Sequence, residues 1–112
     1  MRILLVGASG FIGRHLLRAL HAEGHSLVAT SRSGQGSAWP EVEWRALDLV
    51  SLATDAAHFR WPPDINLLIN VTGVLSTDPG QLSAVQDQGA RALFELAAAH
   101  GTRVIQLSLP SW

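Results

Sequence analysis

The stretch Leu4-Leu5-Val6-Gly7-Ala8-Ser9-Gly10-Phe11-Ile12-Gly13 decides the fold. The apolar run from Ile3 to Val6 has the length and the branched side chains of a buried strand. It ends in three glycines spaced Gly-x-x-Gly-x-x-Gly. The apolar residues that follow recur at helical spacing, which predicts an amphipathic helix from about Phe11 to Glu23. The stretch therefore predicts a strand, a glycine turn and a helix in direct succession.

This succession has the form of a cradle for a phosphate group. Gly7 permits the tight turn, Gly10 lets the backbone approach a pyrophosphate, and Gly13 lets the helix pack closely against the strand. The free N–H groups and the dipole of the helix N-terminus face the anion. The alternative is a glycine-rich turn without a ligand, but a strand before the turn and a helix after it favour the cradle.

The rest of the chain continues the alternation of strands and helices. The patterns predict strands at 26–31, 43–47, 65–71 and 103–107, and helices at 51–59 and 81–100, with Ser51 as the N-cap of the first of these. Strand 43–47 alternates apolar and charged residues, which is typical of an edge strand. We therefore predict an α/β, Rossmann-type parallel sheet of about five strands in the order 3-2-1-4-5.

The composition restricts the class of protein. The chain has 112 residues, of which 47% are hydrophobic and 15% charged, as expected for one compact domain. No apolar run approaches the ~20 residues of a membrane span, and we see no signal peptide, so we expect a cytoplasmic protein. The net charge of −1 gives no general attraction for nucleic acid. Without cysteine, and with His21 and His25 separated by Gly24, no metal site is expected.

Two residue types are missing. All eight basic residues are arginines, so the chain contains no lysine, and it contains no tyrosine. A mechanism that needs a phenol or an amine cannot be carried out by this chain alone.

The sequence resembles the short-chain dehydrogenase/reductase superfamily, in its extended and atypical branch, such as the NAD-dependent epimerase/dehydratase family. The resemblance is carried by the spaced glycines Gly7, Gly10 and Gly13, by Asp48-Leu49, by Asn70-Val71-Thr72-Gly73, by Gly89-Ala90 and by 103–108. It covers the whole chain, but only about the first third of a typical member. It implies that residues 1–112 are an NAD(P)-binding Rossmann domain, the N-terminal portion of a longer architecture.

The resemblance also implies roles for individual residues. The pyrophosphate would be held by the glycine turn, with Gly7, Ser9, Gly10, Phe11, Ile12 and Gly13. Asp48 and Leu49 would lie against the adenine, and this is favoured over Asp48 as an ordinary turn residue that closes a strand, because ligands bind at such turns in this fold. Val71, Thr72 and Gly73 would line the ribose next to the nicotinamide.

The choice of cofactor depends on the end of the second strand, Ser31-Arg32-Ser33. An Asp or Glu, which would accept a hydrogen bond from a free ribose 2′-hydroxyl, is absent there. The guanidinium of Arg32 matches a 2′-phosphate in charge and in geometry. We therefore expect NADP, with NAD possible if Arg32 is only a solvated loop residue.

The resemblance fails at the catalytic pair. Catalysis in the superfamily uses a Tyr-x-x-x-Lys pair on the helix after the fifth strand, and this chain has neither residue, so we assign no catalytic residue. One hypothesis is a dinucleotide-binding domain of an oxidoreductase or epimerase whose substrate is an unknown small molecule. The alternatives are a non-catalytic dinucleotide sensor or regulatory protein, and an inactive fragment that folds by oligomerising.

The fifth strand leads to a prediction about association. It is mostly apolar, with Val104, Ile105 and Leu107, and it lies at the edge of the predicted sheet. Open apolar edges pair with another chain or aggregate. We therefore expect a homo-oligomer, formed through the edge of strand five or through the helix at 81–100.

Overall fold

The computed structural model describes residues 1–8, 11–31, 34, 42–55, 59–71, 89 and 91–106. Its strands and helices alternate along the chain: β1 (Arg2–Val6), α1 (Phe11–Ala22), β2 (Ser26–Ser31), β3 (Val42–Ala46), α2 (Leu49–Thr54), β4 (Leu67–Asn70), a third helix α3 (91–99) and β5 (Arg103–Gln106). The predicted α/β class is confirmed.

The described strands form one parallel sheet in the order β3-β2-β1-β4-β5, as predicted. The apolar strand β1 lies at the centre, where Leu4 aligns with Val28 of β2 and with Leu68 of β4. Because all the strands are parallel, their carboxyl ends lie at one edge of the sheet. In open sheets of this type, ligands bind at that edge.

Each face of the sheet carries its own hydrophobic core, because neighbouring residues of a strand point to opposite faces. Leu4 and Val6 of β1 pack on one face with residues of α2 and α3, including Leu52, Leu93 and Ala97. Ile3 and Leu5 pack on the other face with Leu17 of α1. The sheet therefore lies between two helical layers, which explains why β1 is apolar on both sides.

Glycines end two of the helices. After α1, Gly24 has a φ of +84°, and the N–H of His25 donates to the carbonyl of Leu20 (3.3 Å). After α3, Gly101 has a φ of +67°, and the N–H of Thr102 donates to the carbonyl of Ala97 (2.9 Å). Both arrangements are the Schellman motif, in which a left-handed glycine lets the chain satisfy the last carbonyls of a helix. The predicted helices, Phe11 to Glu23 and 81–100, end directly before these two glycines.

The predicted bounds of α2 are wrong. The helix begins at Leu49 and ends at Thr54, whereas the sequence predicted residues 51–59 with Ser51 as the N-cap. Asp48 is the residue before the helix, and its carbonyl accepts the N–H of Leu52 at 2.9 Å. Asp and Ser are equally good N-caps, so local preference does not choose between them. A start at Leu49 places Leu52 in the core, where it is 1% exposed, and this burial favours the observed start.

The edge strand β3 follows the predicted alternation, although it begins at Val42, one residue earlier than expected. Val42 and Trp44 pack into the core beneath α1. Glu43 and Arg45 point to the opposite face, where the Arg45 Nε lies 2.7 Å from a carboxylate oxygen of Glu43. The predicted partly wet face is therefore the face that carries α2 and α3.

Candidate functional site

The glycine turn lies at the carboxyl end of the central strand β1. Gly7 has a φ of +87°, a conformation that side-chain-bearing residues rarely adopt, so the chain can turn immediately after Val6. Helix α1 then begins at Phe11. Its first N–H groups have no partner within the helix, and the N-terminus of a helix attracts anions. The predicted succession of strand, turn and helix is therefore present.

Gly13 is the residue at which α1 approaches the turn. A Cβ atom on Gly13 would lie 2.1 Å from the carbonyl oxygen of Gly7 and 2.8 Å from the Cα of Ala8. Both atoms belong to the backbone and cannot move aside easily. Close packing of the helix on the turn, as expected from the sequence, therefore requires glycine at this position.

Backbone hydrogen bonds hold the carboxyl ends of four strands together. The N–H of Ala8 donates to Thr30 of β2 (3.1 Å), and that of Val71 donates to Val6 of β1 (2.9 Å). After β3, the N–H of Leu47 donates to Ser31 (2.9 Å). The glycine turn therefore lies between the end of β2, which leads to Arg32, and the end of β4, which leads to Thr72.

The structure brings some of the predicted site residues to this edge. Gly7, Gly13, Asp48 and Val71 all lie at or beside the carboxyl ends of strands, with Gly13 and Val71 buried and Asp48 half-buried. Ile12 is 38% exposed in the first turn of α1, which leaves an apolar side chain beside the glycine turn. Gly7, Gly13, Asp48 and Val71 therefore lie at the same end of the sheet.

The other predicted site residues lie wholly or partly outside the described residues. Ser9, Gly10, Arg32, Thr72 and Gly73 are outside them altogether. For Phe11 and Leu49 the structure describes only the backbone, which begins α1 and α2 respectively.

A pair of amides at the same edge received no role from the sequence. The Nδ2 of Asn70, at the end of β4, donates to the Oε1 of Gln106 at 2.8 Å. The Nε2 of Gln106 donates to the backbone carbonyl of Asn70 at 3.3 Å. The sequence contains a signal for a role of Asn70, because it is a polar residue that ends an otherwise apolar strand. The pair holds the carboxyl ends of β4 and β5 together beside Val71.

Among the described residues, no group of three or more His, Asp or Glu side chains could hold a metal ion. None of the helices in the described ranges is long and apolar enough to cross a membrane.

Comparison with known proteins identifies the family. Residues 3–109 match the NAD dependent epimerase/dehydratase family. The chain belongs to this family. This membership supports the expectation of a dinucleotide-binding domain of the oxidoreductase type.

One curated relative is similar over nearly the whole chain. The chain is 33% identical over 110 residues to a ceramide reductase from Caulobacter vibrioides. The aligned region covers 95% of this chain and 34% of the relative. The chain thus spans about a third of the length of this relative.

Solved structures agree on the fold. Uronate dehydrogenase from Agrobacterium tumefaciens, in a structure with NAD, has a TM-score of 0.73 at 24% identity, over 96% of this chain and 40% of its own. The dTDP-glucose 4,6-dehydratase from Bacillus anthracis, in complex with NAD, has a TM-score of 0.67 at 16% identity, over 96% of this chain and 36% of its own. At such identities, these similarities concern the fold alone.

Proposed function

We propose that this chain binds a nicotinamide dinucleotide at the carboxyl edge of its sheet, as the cofactor domain of a short-chain dehydrogenase-type oxidoreductase or epimerase. The observation that carries the proposal is the glycine turn between β1 and α1. Gly7 has a positive φ there, and Gly13 brings the helix N-terminus against the turn. This geometry fits a pyrophosphate, since it offers backbone N–H groups and a helix dipole.

The proposed contacts divide among the carboxyl ends of the strands. The pyrophosphate is held at the turn after β1, by Gly7, Ser9, Gly10, Phe11, Ile12 and Gly13. Asp48 and Leu49, after β3, contact the adenine. Val71, Thr72 and Gly73, after β4, line the ribose beside the nicotinamide. The hydrogen bonds from Ala8 to Thr30 and from Val71 to Val6 support this division, because they keep these ends adjacent.

We further propose that the cofactor is NADP rather than NAD. Arg32 directly follows β2, whose last residue is Ser31. A guanidinium at this end of the strand pairs with a 2′-phosphate, whereas an acidic residue would pair with the free 2′-hydroxyl of NAD. The solved relatives described above contain NAD, so this preference depends on Arg32 alone.

The chain's own part in the chemistry is binding and orientation. The nicotinamide supplies hydride transfer when it is bound. With no tyrosine and no lysine, these 112 residues lack the superfamily's acid–base pair. The small-molecule substrate and its chemistry therefore belong to the longer family architecture, for which we propose a cytoplasmic enzyme.

The test is a titration of NADPH, and of NADH in parallel, followed by the fluorescence of the bound nicotinamide. We expect saturable binding that is tighter for NADPH. Arg32→Glu should remove this preference, whereas Arg18→Glu, the same charge change at an exposed position of α1, should keep it. Tighter binding of NADH would overturn the NADP proposal. Absence of binding by folded protein would overturn the dinucleotide proposal and favour an inactive fragment.

A non-catalytic dinucleotide sensor is the second candidate, favoured by the absence of tyrosine and lysine. Both candidates bind the cofactor, so binding does not separate them. The coding region of the gene does: a reading frame that continues into a Tyr-x-x-x-Lys helix favours the enzyme.

We also propose that the 112-residue chain associates with itself, through the edge of β5 or the helix at 81–100. Within the described residues β5 is hydrogen-bonded to β4 alone, and its apolar side chains are exposed on both faces of the sheet, with Val104 at 39% and Ile105 at 44%. Analytical ultracentrifugation at tens of micromolar should show a dimer or a larger assembly. A monomer under these conditions would contradict the proposal.

A further inference from the structure

A cleft of about 750 Å³ lies on the face of the sheet that carries α2 and α3. Its described lining consists of Arg45, the segment 60–65, His100 and Thr102. Ile65 and Thr102 lie at the amino ends of β4 and β5, the opposite ends from Val71. None of the lining residues is among those proposed to contact the dinucleotide. The cleft therefore shares no described residue with the proposed cofactor site, although Arg45 lies in the carboxyl half of β3, three residues before Asp48. Its size is that of a small-molecule pocket.

Stacked rings form one wall of the cleft. The Trp61 and His100 rings lie nearly parallel, with centroids 5.2 Å apart and 15° between their planes. Phe59 meets Trp61 edge-on at 6.4 Å and supports it from the core. The Nδ1 of His100 lies 2.8 Å from the carbonyl oxygen of Leu96. Since a carbonyl only accepts, Nδ1 carries the hydrogen, and this bond fixes the imidazole as a rigid, flat surface beside the cleft.

Arg45 and Arg60 also line the cleft, and positive charge is in excess around them. Arg2 and Arg45 share the single carboxylate of Glu43, at 4.0 and 2.7 Å. Arg45 also donates to the backbone carbonyl of Arg60 at 3.2 Å, which holds its planar group in place. The guanidinium of Arg60 has no partner among the described residues and is exposed to solvent. Asp64 supplies the one carboxylate of the described lining.

We propose that this cleft binds a planar aromatic carboxylate. The stacked Trp61 and His100 rings offer a flat surface on which an aromatic ring packs favourably. Arg60 offers a fork of N–H donors without a partner among the described residues, and the fixed Arg45 offers N–H groups beyond those that bind Glu43 and the Arg60 carbonyl, so a carboxylate is bound by charge-assisted hydrogen bonds. A flat ring that carries a carboxylate can contact the stacked rings and pair with the arginines at once. An aliphatic anion or a neutral aromatic ring can make only one of these two kinds of contact.

The probe for this site is benzoate, and the measurement is NMR of the whole chain. We expect benzoate to shift the ring signals of His100 and the indole N–H of Trp61, which is assigned from the spectrum of Trp61→Phe. Saturation is expected at a Kd of about 1 mM or lower. Cyclohexanecarboxylate, which has the charge without the aromatic ring, and benzyl alcohol, which has the ring without the charge, should bind at least about tenfold more weakly.

Matched variants identify the charge that is used. Arg60→Gln should weaken benzoate binding by about tenfold or more, because it removes the unpaired guanidinium. Arg103→Gln, a change at an exposed arginine outside the lining, should leave the binding unchanged, and circular dichroism confirms that both variants are folded. Equal loss in both variants, equal response to benzyl alcohol, or no shift at His100 and Trp61 would overturn the proposal.

The experiment also separates this cleft from the dinucleotide site. We expect the same benzoate shifts with and without saturating NADPH, since the two sites share no described residue. Benzoate binding by a protein that fails to bind NADPH would keep the cleft and reject the proposed cofactor function. Competition between benzoate and NADPH would overturn the cleft as a separate site.

Discussion

β1 and β5 are short parallel strands of the same sheet, and they differ in what surrounds them. In β1 the residues from Ile3 to Val6 are at most 1% exposed. In β5 all four residues are exposed, including Val104 and Ile105. β1 has a hydrogen-bonded strand on each side and helices over both faces, whereas the described neighbour of β5 is β4 alone. The burial of a strand is therefore set by its neighbours and not by its own apolar residues.

Substitution of a glycine that packs near each strand should show the largest difference in stability. Gly13→Ala places a Cβ 2.1 Å from the backbone oxygen of Gly7, so either α1 or the turn after β1 must move. We expect it to lower the free energy of unfolding by about 3 kcal/mol or more. Gly101→Ala, before β5, meets no atom within 4 Å and is strained only by its φ of +67°, so about 1–2 kcal/mol is expected.

Urea unfolding of both glycine variants measures this difference. A loss in Gly101→Ala as large as that in Gly13→Ala would mean that the turn before β5 is packed as tightly as the turn after β1. The surroundings of β1 and β5 would then not differ in how tightly they are packed.

Truncations within the strands test the same difference through packing. Leu4→Ala removes a fully buried side chain of β1 and is expected to cost about 2–5 kcal/mol. Val104→Ala, on the same face of the sheet in β5, should cost less than about 1 kcal/mol in the monomer, because its side chain is already 39% exposed.

The losses of stability in Leu4→Ala and Val104→Ala are best measured by urea unfolding over a range of protein concentrations. If copies of the chain associate through β5, the loss in Val104→Ala should grow with concentration, while that in Leu4→Ala should not depend on it in the same way. A loss in dilute Val104→Ala equal to that in Leu4→Ala would contradict the exposed position of β5.

The parts of this molecule that the sequence predicts are those governed by local patterns. The apolar run of β1, the glycine spacing and the helix-ending Gly24 and Gly101 each act over a few residues, and the alternation of elements then leads to the strand order. Asp48 and Ser51 show where local patterns are insufficient. Both residues can cap α2, and the choice depends on the burial of Leu52 against β1, a contact between residues distant in sequence.

Local sequence patterns also predict the glycine turn but not the cleft. The glycine turn can be recognised from consecutive residues, whereas the cleft combines Arg45, the segment 60–65 and His100, which only the folded sheet brings together. Nothing in the local sequence around His100 indicates that its ring stacks on Trp61. The bond between Asn70 and Gln106 likewise depends on the alignment of β4 with β5.

The hydrogen bond between Asn70 and Gln106 is expected to hold β5 against β4. Gln106→Ala removes an acceptor from the Nδ2 of Asn70, a residue that is 1% exposed, and should cost about 1–2 kcal/mol. Arg103→Ala, at the other end of β5, is exposed and should cost less than about 0.5 kcal/mol. Hydrogen exchange of the β5 amides should show faster opening in Gln106→Ala. Equal effects in the two variants would mean that the amide pair does not hold β5.

The smallest effect is expected at the opposite edge of the sheet, in β3. Glu43→Gln removes the charge shared by Arg2 and Arg45, but the Glu43 side chain is 48% exposed, so solvent screening should limit the loss to less than about 1 kcal/mol. Glu95→Gln, an exposed change on α3, is the control and should have almost no effect. The loss in Glu43→Gln should shrink further in urea titrations at 1 M salt, where the screening length is about 3 Å. A loss near that of Leu4→Ala, or one insensitive to salt, would show that the β3 edge is stabilised as strongly as the centre of the sheet. A small, salt-sensitive loss would instead show that both edges of this sheet, unlike its centre, are held by polar contacts that water weakens.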